Sequence, residues 1–452
     1  MSMRKDFRIR TLAVLLSTSA AALLSPGAGA EDLIQVFRDA RNYDAQYGAA
    51  RYALQAGLER LPQGRSLVLP TLGLTSGYTR TNLDIEGRGS NPAPSANRGF
   101  TTGTYQLTFT QPLFRPQSWV QYDQSEFQVR QAEAIFGQAA QDLVIRSAQA
   151  YFDVLSAEDT LALVRAQKAA ISEQLAQAKR NFEVGTATIT DTHEAQARFD
   201  LNTAQEISAM NDLEVKRRTL QQVTGKAYEK LKPLRSDVKL APPNPNNMQN
   251  WVDIAERQSF PVRIQEAASE IAGLEIRRTR VAHYPTVDLV ASIGQTDQTG
   301  SALASTGSLA TPTAIGLQVA VPLYQGGFLS SREREAGANY EKSKQDLENA
   351  RRTSALSSRQ SYLGVINGIA QISALEAALV SSQSALDSNK LGYEVGVRIN
   401  IDVLNAQQQL FSTRRDLATA RYNTITNYLR LKAAAGSLRE EDLNEVNRAL
   451  QF

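Results

Sequence analysis

Two hydrophobic periods divide this chain. In four short stretches the period is two: Leu72, Leu74 and Tyr78 alternate with Gly73, Thr75 and Gly77, and Tyr105, Leu107 and Phe109 with Gln106, Thr108 and Thr110. Val287, Leu289, Ala291 and Ile293 alternate with Asp288, Val290 and Ser292, where Val290 is the one apolar lapse, and Ile315, Leu317, Val319 and Val321 alternate with Ala314, Gly316, Gln318 and Ala320. This alternation predicts four one-faced strands near 71–81, 103–111, 286–294 and 314–321. At about nine to eleven residues, each is long enough to cross a bilayer as a tilted strand. A soluble sandwich with one wet face would use more strands. Polar, Gly- and Ser-rich loops are predicted over 82–102 and 294–313.

Elsewhere the period is close to 3.5. No proline occurs between Pro116 and Pro233 or beyond Pro322, and Ala, Gln, Leu, Glu and Arg dominate both stretches, which predicts very long helices. From Phe136, alternating steps of four and three give Ala140, Leu143, Ser147, Ala150, Val154, Ala157, Leu161, Val164, Lys168, Ile171, Leu175, Ala178 and Phe182, a heptad seam broken only by Ser147 and Lys168. A second, alanine-rich seam runs through Ile145, Ala148, Phe152, Leu155, Ala162, Ala166, Ala169 and Ala176. Two seams require neighbours on two sides, as in a closed cylinder of helices. A helix of some sixty residues is about 90 Å long, far more than a bilayer is thick, so most of it must project from the membrane.

The plan is written twice. Phe182-Glu183-Val184-Gly185, Thr190-Asp191 and Ala195-Gln196 recur as Tyr393-Glu394-Val395-Gly396, Ile401-Asp402 and Ala406-Gln407 at a constant offset of 211, which also pairs Tyr151 with Tyr362 and Gly225 with Gly436. The expected organisation is a leader over 1–30, a first repeat over 31–240, a turn-rich linker over 241–250, a second repeat over 251–436 and a C-terminal segment over 437–452.

The leader follows from a basic stretch, Arg4 to Arg10, an apolar run from Leu12 to Leu24 and the small residues Ala28-Gly29-Ala30, which place the mature N-terminus at Glu31. The apolar run is too short for a spanning helix and no later stretch reaches that length, so an exported chain that enters a membrane is expected to do so as a β-barrel. Four strands cannot close one alone, and copies of the chain must satisfy the free edges.

Composition excludes more than it suggests. Of 49 Lys+Arg and 46 Asp+Glu, four cations and one anion fall in the leader, leaving 45 of each, and a neutral chain offers no electrostatic case for nucleic acid. With no cysteine there is no disulfide, thiolate nucleophile, Cys-ligated metal or N-terminal lipid anchor. The only histidines, His193 and His283, lie in different halves, and Gly225-Lys226 lacks the rest of a phosphate loop. No catalytic group, metal or cofactor is expected. A periplasmic coiled-coil structural protein or adhesin would explain the helices but leave the strands idle. Trp119, just past a strand, fits an interfacial aromatic girdle.

The chain resembles the TolC family of outer membrane channels. The resemblance covers essentially the whole mature chain and is most specific at Leu391-Gly392-Tyr393-Glu394-Val395-Gly396-Val397-Arg398, Asp402-Val403-Leu404-Asn405-Ala406, Ala420-Arg421-Tyr422-Asn423 and Gly436 through Glu440-Glu441-Asp442-Leu443. It implies a homotrimer whose twelve-stranded outer membrane barrel continues into an α-helical periplasmic tunnel. An equatorial belt is expected over 226–250 with the C-terminal segment. The implied work is export of drugs or secreted proteins, in contact with outer membrane lipid, a periplasmic adaptor (membrane fusion) protein and an inner membrane transporter. Tyr393 and Arg398 match a tyrosine and an arginine of one loop at the tunnel's periplasmic gate, and Thr190 and Asp191 match their partners on the other. Asp402 matches one position of an acidic ring. The second is Asn405 here, so a less anionic ring is expected. Two local roles compete with the gate: Asp191 has the spacing of a helix cap with Glu194, and Asp402 stands at a helix start.

Overall fold

A computed structural model describes residues 30–86, 88, 90, 96–235, 238–301 and 306–450. The leader expected over 1–30 lies outside the described residues apart from Ala30. In chain order the elements are α1 (Leu33–Tyr43), α2 (Ala45–Leu58), α3 (Arg60–Ser66), β1 (Thr71–Ile85), β2 (Ala96–Phe114), α4 (Pro116–Glu183), α5 (Ile189–Thr224), α6 (Met248–Gln258), α7 (Phe260–Arg280), β3 (Thr286–Gln298), β4 (Ser308–Ala310), β5 (Thr313–Ala320), α8 (Phe328–Glu394), α9 (Asn400–Ala434) and α10 (Glu440–Asn447).

The strands form one antiparallel sheet, β1-β2-β3, with β5 and β4 both on the far side of β3: β5 pairs with residues 286–293 and β4 with residues 296–298. The fourth strand is therefore one ribbon interrupted at Pro312, which has no N–H for the ladder but whose carbonyl still accepts from Gly294 N–H at 2.9 Å. The first hairpin extends far beyond the expected 81 and 103, with Ile85 opposite Ala96. Backbone pairing carries on there while the apolar positions change phase, Leu83 and Ile85 now alternating with Asn82 and Asp84, out of step with Leu72, Leu74 and Tyr78. The register gathers the alternating apolar positions onto one face. Leu72 lies opposite Phe109 and Leu74 opposite Leu107; Leu107 in turn faces Ile293, Phe109 faces Ala291, and Leu289 faces Leu317. Most of these large side chains are exposed. The other face carries Thr71, Gly73, Thr75, Thr104, Gln106, Thr108, Ser292, Gly294 and Gly316, mostly small and neutral, with Val290 an apolar exception and Asp288 at the end near α4.

β2 leaves the sheet at a register shift between Pro112 and Phe114, and α4 starts two residues later with Pro116 in its first turn, where the missing N–H costs nothing. Arg115, between them, grips Asp288 of β3 through two hydrogen bonds, Nε to Oδ1 at 2.7 Å and Nη2 to Oδ2 at 2.6 Å. Strand-to-helix passage is thus fixed by a bidentate ion pair whose acid is buried.

The long helices, α4 with 68 residues and α8 with 67, each rise about 100 Å. Each carries two shorter partners placed end to end: α2–α3 and then α5 on α4, α7 and then α9 on α8. Gly225 closes α5 and Gly436 closes α9 in the left-handed conformation (φ 74° and 69°). A Cβ at Gly225 would strike the Tyr43 ring, and one at Gly436 the backbone of Gln258, so both junctions need glycine for conformation and for space. In the heptad seam Leu143, Ser147, Ala150, Val154, Ala157, Leu161, Ile171, Leu175 and Ala178 are buried. The second seam is buried only in its upper part, at Ala148, Phe152 and Leu155, while Ala162, Ala166, Ala169 and Ala176 are exposed on the single chain.

The largest core sits midway along the helices. Leu33, Val36 and Phe37 of α1 meet Tyr151, Phe152 and Val154 of α4, Leu220 of α5, Leu429 of α9 and Leu443 of α10. Glu31 pairs with Leu231 and Leu234 with Leu450, so both ends of the described chain are stitched to the segment after α5. Tyr151 Oη donates to Lys232 O at 2.7 Å, and its counterpart Tyr362 donates to Asn246 Oδ1 at 2.8 Å. Each duplicated tyrosine thus fastens the irregular chain that crosses its long helix.

One expectation needs amendment. α8 contains a stretch apolar enough, by length and composition alone, for a spanning helix. It is part of a single 67-residue helix, and only 11% of the stretch is buried within the single chain, Ile372 being packed against Leu417 of α9.

Candidate functional site

The two inter-helix loops have the same construction. After α4, Gly185 takes φ 78° and its N–H returns to Phe182 O at 3.0 Å, while Thr186 N–H bonds Asn181 O at 2.8 Å. After α8, Gly396 takes φ 78°, Gly396 N–H bonds Tyr393 O at 3.1 Å, and Val397 N–H bonds Gly392 O at 2.9 Å. Glycine is required because an L side chain is strained at this φ. The next helix begins within five residues in both cases.

The helix starts differ. α5 opens with a capping box: Thr188 Oγ1 accepts from Asp191 N–H at 3.3 Å, and Asp191 Oδ2 accepts from Thr188 N–H at 2.9 Å and from Thr188 Oγ1–H at 2.8 Å. Asp191 is thus a cap, but its partner is Thr188 and not Glu194, because the helix starts three residues earlier than that spacing assumed. α9 has no side-chain cap at Ile399. Instead, Arg398 Nη1 lies 3.6 Å from Asp402 Oδ2 across one helical turn. Among the described residues, Arg398 and Tyr393 form no hydrogen bond or ion pair with Thr190 or Asp191 of the same chain. Thr190 is exposed and makes no side-chain hydrogen bond among the described residues. The Arg398 stem lies against Gly392, where a Cβ would crowd its Cγ at 2.7 Å.

Inside the chain the two hairpins meet through Leu404, packed on Ile171, Leu175, Ala178 and Ala195, and through a set of polar side chains. Asn181 Nδ2 donates to Tyr393 Oη at 3.1 Å, and Gln174 Nε2 donates to Asn400 Oδ1 at 2.6 Å. Asn400 is buried and returns a 3.5 Å bond from Nδ2 to Asp191 O. Asn405 Oδ1 accepts from Arg198 Nη2 at 3.0 Å. Sequence reading missed Asn181, Gln174, Asn400 and Arg198. Three of these four bonds join residues 207–212 apart, close to the repeat offset, because side-by-side hairpins bring equivalent heights together. Polar residues near that separation were the available signal.

Comparison with known proteins places the whole architecture. The family model described as "Outer membrane efflux protein" matches residues 36–226 and 251–437, one stretch for each half. The chain is 33% identical over 445 residues to the outer membrane protein TolC of Vibrio cholerae, covering 98% of this chain and 99% of that one. It is 31% identical over 440 residues to the proteases secretion protein PrtF of Dickeya chrysanthemi, covering 97% of this chain and 91% of that one. Its fold is that of the CmeC outer membrane channel of Campylobacter jejuni, with a TM-score of 0.78 at 14% identity over 99% of this chain and 98% of that one.

Proposed function

The chain belongs to the outer membrane efflux protein family and is an outer membrane channel with a large periplasmic part; on that premise we propose that it works as a homotrimeric duct for drugs or secreted proteins, without catalysis of its own. The observation that carries this reading is the sheet: an exposed apolar face, a small neutral opposite face and two unpaired edges, β1 on one side and β5 with β4 on the other. Three copies would join those edges into twelve strands, with the apolar face on lipid and the threonine-rich face on a wet lumen. Six helical hairpins would continue that lumen through the periplasm. The exposed alanines of the second seam are the surface on which neighbouring protomers would pack. A periplasmic adaptor (membrane fusion) protein and an inner membrane transporter complete the route, and the transporter selects the cargo.

The hairpin loops form the gate in this proposal. Tyr393 is tied to Asn181 of its own chain. Arg398, with a side chain 59% exposed and, among the described residues, Asp402 as its one ion-pair partner, can reach Thr190 and Asp191 of the neighbouring protomer. Asp402 and Asn405 lie just beyond and face the constriction. A charged hydrogen bond contributes about 1.5–3 kcal/mol and less when exposed, so a few such links around a trimer bias the passage shut without locking it. Tyr393→Phe combined with Arg398→Ser is expected to raise single-channel conductance in planar bilayers above that of the parent. Equal conductance in the two proteins would remove these residues from the gate.

A further inference from the structure

We propose that Arg198 is a specificity-determining residue of the constriction, placing a positive charge where Asn405 stands. This rests on the reading above that puts Asp402 and Asn405 at the ring. Arg198 is on α5, two helical turns past Asp191, and its guanidinium crosses to α9: Nη2 donates to Asn405 Oδ1 at 3.0 Å and Nη1 donates to Gln408 Oε1 at 2.6 Å. Both acceptors are neutral amides, and among the described residues Arg198 forms no ion pair. Its charge is therefore held in place without being cancelled. Gln205 and Arg415 line the same cleft between α4, α5 and α9, so the guanidinium opens onto polar, solvated surface.

Asp402 has Arg398 at 3.6 Å, and Asp191 is engaged by its own capping box. Each protomer then adds one guanidinium, held by neutral amides, to the carboxylates Asp191 and Asp402 at this level. A charge within about 8 Å of a passage biases which ions enter it, since at physiological salt its field is largely screened only beyond that distance. Three such cations lower the negative charge of the constriction, which eases the entry of anionic export substrates and weakens the binding of divalent cations.

The test is the reversal potential of the reconstituted full-length channel under a KCl gradient, with oligomer yield followed in parallel. Arg198→Gln is expected to raise the permeability ratio of K+ over Cl− about twofold, the scale of removing one unit charge from each protomer beside a hydrated pathway. Arg198→Lys keeps the charge while losing the two-pronged grip, and is expected to retain the parent's ratio. A ratio unmoved in Arg198→Gln overturns the proposal, and so does an equal shift in Arg198→Gln and Arg198→Lys. Failure of the gate reading appears instead as unchanged conductance in the Tyr393→Phe, Arg398→Ser protein, so the two failures are separable.

Discussion

Asp159 occupies a place where a carboxylate is costly. It lies in the midway core on α4, beside Phe152 and Tyr422, and accepts a 2.7 Å hydrogen bond from Tyr422 Oη. Burial raises its pKa, the neighbouring Glu158 adds to the rise, and the Tyr422 hydrogen bond offsets only part of it. A folded-state pKa above the unfolded one means that the folded chain binds this proton more tightly. The stability contributed is complete below the ordinary aspartate value of about 3.9 and is lost as pH climbs through the raised value. Asp159→Asn, which keeps an acceptor for Tyr422, is therefore expected to melt no lower than the parent at pH 7. Its advantage should shrink to nothing as thermal scans in detergent approach about pH 4. A lower melting temperature at pH 7 would mean that the ionised carboxylate stabilises this core. Asp44 has the opposite sign: burial alone would raise its pKa, but two 2.9 Å bonds from Arg146 and one from Tyr47 N–H lower it, so its contribution is lost in acid.

At the scale of the element, the strands are where one substitution should be decisive. Leu107 sits in the middle of β2 with Leu74 on one side and Ile293 on the other, all on the exposed apolar face. Leu107→Arg would put a charge near the bilayer midplane, at a cost of about 2–4 kcal/mol. Far less protein is expected in the outer membrane fraction, whereas Thr108→Arg, one residue along on the neutral face, should insert nearly normally. Equal yields from the two variants would mean that the face does not meet lipid. The helices divide differently. Their heptad seam is satisfied within the chain, but the exposed Ala162, Ala166, Ala169 and Ala176 give α4 a second contact surface that no element of the same chain covers.

For the whole molecule the prediction concerns assembly. A sheet with two open edges and hydrophobic outer side chains is not a stable end state for one chain. Extracted with mild detergent, the protein is expected to migrate in light scattering and cross-linking as three copies and to fall to one copy in SDS. A detergent-solubilised monomer would rule out the closed twelve-stranded barrel. Arg115 and Asp288 belong to this scale as well, since they set how the sheet meets α4 and hence whether three tunnels' worth of helices align under one barrel.

Periodicity, being local, was enough to reveal the strands, the two long helices, their duplication at an offset of 211 and the glycines 185, 225, 396 and 436. Each depends on residues a few positions apart, or on repetition of a pattern, and needs no partner from elsewhere in the chain. The first hairpin runs past the expected strand ends because beyond Tyr78 the apolar positions change phase, to Leu83 and Ile85, while the backbone ladder continues. The candidate site was legible as a set of residues but not as a set of contacts. Asp191 bonds Thr188, Arg398 bonds Asp402, and the hairpins are joined through Asn181, Gln174, Asn400 and Arg198, residues ordinary in composition and spacing. Only the packing of the two hairpins decided those pairings, because a hydrogen bond is fixed within a few tenths of an ångström by where two backbones come to rest, and that depends on every buried side chain between them.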